Sequence, residues 1–176
     1  MRAPLPVLRF WAGTGGIAAT EFALILPLLV LGWLGMAQLA QLTEASAKTH
    51  MVAQSLSDLS TQKTTPALTD LVAAAQQILS PLPATTSVLT IDMVGISYDS
   101  SGVASQSWRC SSPSGLATGV SLASAVGLGS SGQGVIMVTV KYSYTPTITG
   151  GILGAQTFTA TSLNTSRLGG LPAKPC

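Results

Sequence analysis

The sequence predicts an α+β protein. A long N-terminal helix begins in a membrane and carries, outside it, a small domain with a second helix and an antiparallel sheet. Three observations point there. Residues 22 to 43 form an uncharged, mainly apolar run. Residues 44 to 61 contain no Gly or Pro and place small and apolar side chains at alternating steps of three and four, the repeat of one helical face. Beyond residue 88, apolar residues recur at every second position in short runs bounded by Gly, Ser, Asp and Pro. The expected divisions are a leader over 1–16, a helix over 17–61 and an outer domain over 62–176.

Composition narrows the class. Charged residues are only 8% of the 176, against about a quarter in an average soluble protein, and 47% are hydrophobic. The formal net charge of +2 comes from the leader, where Arg2 and Arg9 stand without an acid. From Ile17 onward six basic residues balance six acidic ones. A sparse, balanced charge set offers no electrostatic footprint for nucleic acid.

The run FALILPLLVLGWLGMAQLAQLT, 22 residues from Phe22 to Thr43, contains no charge. At about 1.5 Å per residue a helix of that length covers ~33 Å, enough for a hydrocarbon layer of ~30 Å. Arg2 and Arg9 precede it, so the positive-inside tendency puts the N-terminus in the cytoplasm and the outer domain across the membrane. Glu44 offsets Lys48 locally. Pro27 removes one backbone donor, freeing the Ala23 carbonyl, which a membrane helix tolerates with a bend. No GxxxG pair marks a specific two-helix dimer.

Glu21 is the informative residue. A carboxylate at mid-bilayer costs about 2.5 to 3.5 kcal/mol on insertion scales, and less near the edge. A secretory signal with cleavage at Ala45-Ser46-Ala47 would need a shorter apolar core. An uncleaved anchor accounts for length and orientation but leaves Glu21 without a purpose. Cleavage between Gly16 and Ile17 gives it one. Ile17 would then carry a new α-amino group one helical turn from Glu21, on its own helix or a neighbour's. In low dielectric such a pair is favoured over either charge alone and would register helices packed side by side.

The segment GIAATEFALILPLLVLGWLGMAQLAQL, behind a basic leader, resembles the N-terminal signature of the TadE/TadF-like proteins of the tight-adherence (Flp-type) pilus system. That signature runs G-A-x-A-V-E-F-A-L-x-L-P and then leucines. The likeness covers about 16 to 60, with Ile17 and Thr20 standing where alanine and valine are common. It implies a type IV pilin-like fold and a structural role as a minor pilin or pseudopilin in pilus assembly. It also implies cleavage by the prepilin peptidase, a membrane aspartyl protease, between Gly16 and Ile17. Glu21 and Phe22 would then be the assembly signal. The implied partners are that peptidase, other pilin-like subunits and the inner-membrane assembly platform. The implied location is the bacterial inner membrane, single-pass, with the outer domain periplasmic.

The stripe Leu42, Ala45, Thr49, Val52, Leu56 and Leu59 predicts that the second half of the long helix packs against the outer domain. Thr65 before Pro66 reads as an N-cap with proline at the first helical position, opening a second helix over 66–79 that Pro81 and Pro83 end. Residues 88–98 read as a strand, and Asp99 to Gly102 as a turn into VASQSWRC. Ile136, Val138, Val140, Tyr142 and Tyr144 mark a strong strand, and 157–163 another. Between Asp99 and Gly134, 18 of 36 residues are Ser or Gly, a composition that predicts a flexible or loosely packed loop.

Cys110 and Cys176 read as a disulfide if the domain faces an oxidising compartment, and otherwise as two free thiols. Closing that loop would stabilise the fold by about 4 kcal/mol on the chain-entropy model. A zinc site would need carboxylate help, because His50 is the sole histidine. No HExxH, CxxC, GxSxG, Walker or Rossmann pattern occurs, and no close acid pair suits glycosidase work. Neither an enzyme nor a cofactor is expected. The alternative to a pilin-like subunit is a membrane-tethered periplasmic binding or adhesion domain on an uncleaved anchor. A secreted protein cut after Ala47 is a third.

Overall fold

The computed structural model describes residues 16–114, 121–146, 154–167 and 170–176, with backbone alone at Ile17. Of the expected leader, only Gly16 falls within these residues. The chain divides into two compact units, Met1–Ala40 and Gln41–Cys176. Helix α1 spans Gly16–Gln62, with Pro27 inside it. Its residues 16–40 belong to the first unit and 41–62 to the second.

The second unit is α+β. Helix α2 spans Leu68–Leu79, and the strands are β1 (Leu89–Tyr98), β2 (Ala104–Ser112), β3 (Gly134–Tyr144) and β4 (Gln156–Thr165). They form one sheet in the order β2-β1-β3-β4, and every neighbouring pair is antiparallel. Asp99 turns the β1–β2 hairpin: its Oδ1 accepts the amides of Ser101 and Val103, both at 2.8 Å. This is the side-chain mimic of a backbone turn for which Asp is favoured.

The two faces of the sheet are covered differently, and the strand sequences encode this. Leu89, Ile91 and Met93 lie beside Tyr142, Val140 and Val138 on one face. They share a buried cluster with Ala45, Val52 and Leu56 of α1 and with Leu71, Ala75 and Leu79 of α2. On the opposite face, Val94 and Ile96 pair with Met137 and Val135, and these cluster with Tyr98 and Ala125. Farther along that second face the pairs are Thr90 with Lys141 and Asp92 with Thr139, which are not part of either core. Apolar residues therefore alternate in one half of β1 and β3 and run consecutively over Val135–Val138, where both faces are covered.

The Ser/Gly-rich stretch differs from the expected loose loop. It supplies β2 and a 3-10 turn over Leu122–Ala125, while 115–120 lie outside the described residues. Two contacts account for the order. The Tyr98 hydroxyl donates to the Ala125 carbonyl at 2.6 Å and fixes the turn under the second face. Trp108, opposite Gly95, lies so close that a Cβ on Gly95 would come within 2.3 Å of its ring. A glycine there lets the indole lie flat on the strand. The register slips by one residue just after it, leaving Ser107 as the extra residue of a bulge.

Two details of the helices also differ from expectation. Leu59 is 38% exposed, whereas Ser57, Ser60 and Thr61 are buried beside Leu56. A stripe stepping by three and four averages 3.5 residues and drifts off a helix of 3.6 per turn, so the buried face moves from 56 to 60 instead of 59. The hydroxyls tolerate burial because each donates to its own helix: Ser60 to Leu56 at 2.7 Å and Thr61 to Asp58 at 2.7 Å. Thr49 does the same to Ala45.

Helix α2 begins at Leu68, not Pro66, and Thr65 is not its cap. The N-cap is Ala67, which offers no side-chain hydrogen bond. The Leu68 amide instead donates to the carbonyl of Pro175 at 3.1 Å, so a segment distant in sequence supplies the acceptor. At the other end, Lys48 of α1 donates to the Leu79 and Ser80 carbonyls and pairs with Glu44 at 3.0 Å. A cation at the negative end of a helix stabilises it and ties α2 to α1.

Candidate membrane and assembly helix

Residues 16–40 of α1 carry apolar side chains in every direction around the helix. Phe22, Leu24, Ile25, Leu28, Leu29, Leu31, Trp33, Met36 and Leu39 are all exposed, Leu24 by 78% and Trp33 by 70%. A helix apolar on all sides is stable where lipid or other helices surround it. Among the described residues, α1 is the one helix long and apolar enough to cross a membrane.

The residues expected for processing and assembly fall on the first turns of this helix. Gly16 is its first residue, and the Gly16–Ile17 peptide lies in its opening turn. Glu21 is exposed and sits four residues after Ile17, one turn along the helix. Phe22 follows it, 58% exposed.

The second pair of expected residues is elsewhere. Cys110 on β2 and Cys176 are joined in a disulfide, at a sequence separation of 66. Cys110 is buried in the main core cluster and Cys176 is exposed. His50 is exposed on α1. No group of three or more His, Cys, Asp or Glu that could hold a metal occurs among the described residues.

Sequence reasoning missed the polar contacts that fix the second unit. Arg109 donates from Nε and one terminal nitrogen to the two carboxylate oxygens of Asp92, both at 2.8 Å. This two-point clamp joins β1 to β2, and the hydrogen bond to Asp92 raises the guanidinium pKa further. Arg167 pairs with Asp58 at 2.6 Å. The Tyr142 hydroxyl donates to the Pro83 carbonyl at 2.9 Å, and that of Tyr144 to Gln41 at 2.8 Å. The signal for the clamp was available: Asp92 and Arg109 are the only charges in two strands that a short turn makes antiparallel neighbours.

No protein-family model, no curated protein and no solved structure matches this chain.

Proposed function

We propose that this chain is a structural, pilin-like subunit that helps assemble a tight-adherence type IV pilus. The observation that carries the reading is a single carboxylate, Glu21, in residues 16–40 of α1, which hold no other charge and expose apolar side chains around the helix, one turn after a Gly-Ile peptide. On this reading a prepilin peptidase cuts between Gly16 and Ile17 in the bacterial inner membrane, and the second unit faces the periplasm. The new Ile17 amine and Glu21 then neutralise one another, within one helix or between neighbours. Membrane insertion requires neither charge. Side-by-side packing requires both, because an unpaired ion between apolar helices is strongly disfavoured. Other pilin-like subunits and the inner-membrane assembly platform are the partners this function needs. The exposed leucines of 24–39 would be covered by lipid before assembly and by neighbouring helices after it.

The test is Glu21→Ala in the native host. Membrane fractionation should give the same amount of inserted protein as the wild type. Recovery of the chain in sheared pili, or crosslinked to other pilin-like subunits, should fall by about tenfold or more. Undiminished recovery would leave the carboxylate without the role assigned to it and favour a tethered binding or adhesion domain.

A further inference from the structure

Segment 170–176 crosses the second unit as a strap. Leu171 lies against Gly134, where a Cβ would come within 2.5 Å of its backbone. The Pro172 carbonyl accepts the Trp108 indole N–H at 3.1 Å. The Ala173 amide donates to the Thr64 carbonyl at 2.9 Å, and the Pro175 carbonyl accepts the Leu68 amide at 3.1 Å. Cys176 then bonds to Cys110. The strap therefore touches β3, β2, the α1–α2 connection and the first turn of α2.

The two sulfurs are not equivalent. Cys110 is 2% exposed within the core cluster, while Cys176 is exposed. Thiol–disulfide exchange needs a thiolate to approach one sulfur along the S–S axis, so access decides which sulfur is attacked. We propose that the strap is a redox latch and that Cys176 is the sulfur through which an external protein dithiol or disulfide engages it.

Opening and closing balance as follows. The thiolate of a dithiol reductant attacks Cys176 Sγ, the Cys110–Cys176 bond breaks, and Cys110 leaves as a thiolate that takes up a proton. The reductant's second thiolate then attacks its own sulfur in the mixed disulfide. Cys176 departs as a thiol and the reductant is left oxidised to a disulfide. Closing is the reverse: a disulfide oxidant accepts Cys176, Cys110 resolves the mixed disulfide, and two protons and two electrons leave the chain. With the latch open, the strap is left with its three hydrogen bonds and the packing of Leu171 and the buried Pro172. Its release removes the acceptors of Leu68 and Trp108 together, and so loosens the start of α2 and the face of β2 while leaving β1, β3 and β4 paired.

Two readouts on the full chain in detergent micelles test this. In the first, the oxidised protein is treated briefly with glutathione, quenched with acid, alkylated and mapped by peptide mass. Glutathione should be found on Cys176, with the alkyl group on Cys110, in about tenfold excess over the opposite arrangement. Equal amounts would remove Cys176 as the point of entry. In the second, amide hydrogen exchange is compared before and after full reduction. Exchange at Leu68 and Ala173 should accelerate by about tenfold or more while that of Val138 stays within about twofold. The double variant Cys110→Ser with Cys176→Ser should match the reduced profile. Unchanged exchange at Leu68 and Ala173 would show a strap that holds without its bond. Equal acceleration at Val138 would show a general staple. Either result overturns the latch.

Discussion

Tyr142 shows how one side chain serves both the core and the backbone. It is fully buried and lies beside Leu89 and Phe158 on the covered face. Its hydroxyl reaches the carbonyl of Pro83, just beyond α2. Burial, with a smaller contribution from nearby Tyr144, raises its pKa above 10, and burial does the same for Tyr98. The folded state therefore holds these protons at pH values where the unfolded chain has released them. That stability is complete below about pH 10 and is lost as pH rises through the folded values. Thermal unfolding followed by circular dichroism should show a falling midpoint above about pH 10. Tyr142→Phe should cost about 1 kcal/mol at neutral pH, through the lost hydrogen bond, and flatten the alkaline decline. A variant with an unaltered alkaline slope would place the pH sensitivity elsewhere.

At the scale of elements, periodicity made the helices and strands legible but not the partners that close them. The stripe beginning at Leu42 identified the buried face of α1, since Ala45, Thr49, Val52 and Leu56 are all buried. It misplaced the last turn because alternating threes and fours outrun the helix. Leu56→Ala should therefore cost about 2 to 5 kcal/mol, and Leu59→Ala less than about 1, as read by chemical denaturation. Similar losses at the two sites would contradict the placement of that face. The start of α2 was misread for a different reason. A local signal, Thr65-Pro66, was outranked by a carbonyl more than a hundred residues away, and no window of sequence contains that information. The covered second face was legible in principle. The run Val135–Val138 departs from alternation where the 3-10 turn at Ala125 lies over the sheet. The Ser/Gly composition of the neighbouring segment hid the turn, because its order depends on Tyr98 and not on its own propensity.

For the whole molecule, the account turns on two units with opposite relations to water. The second unit buries its apolar residues between one sheet face and two helices and, on the other face, beneath the turn at Ala125, and closes with a clamp, a capping lysine and a disulfide. The first unit leaves most of its apolar residues uncovered along residues 22–39 and places one acid near the start. Charge sparsity and the uncharged run made this contrast plain in the sequence. The pairing of Asp92 with Arg109 and the path of segment 170–176 depend on strand register, which composition does not carry. The proposed role requires a cation at Ile17 that only proteolysis creates, so the mature N-terminus is the most direct test. Edman sequencing or intact-mass measurement of the chain, purified from the membranes of a host with an active prepilin peptidase, should give a start at Ile17. A chain that still begins at Met1 would contradict the assignment and leave an anchored outer domain in its place.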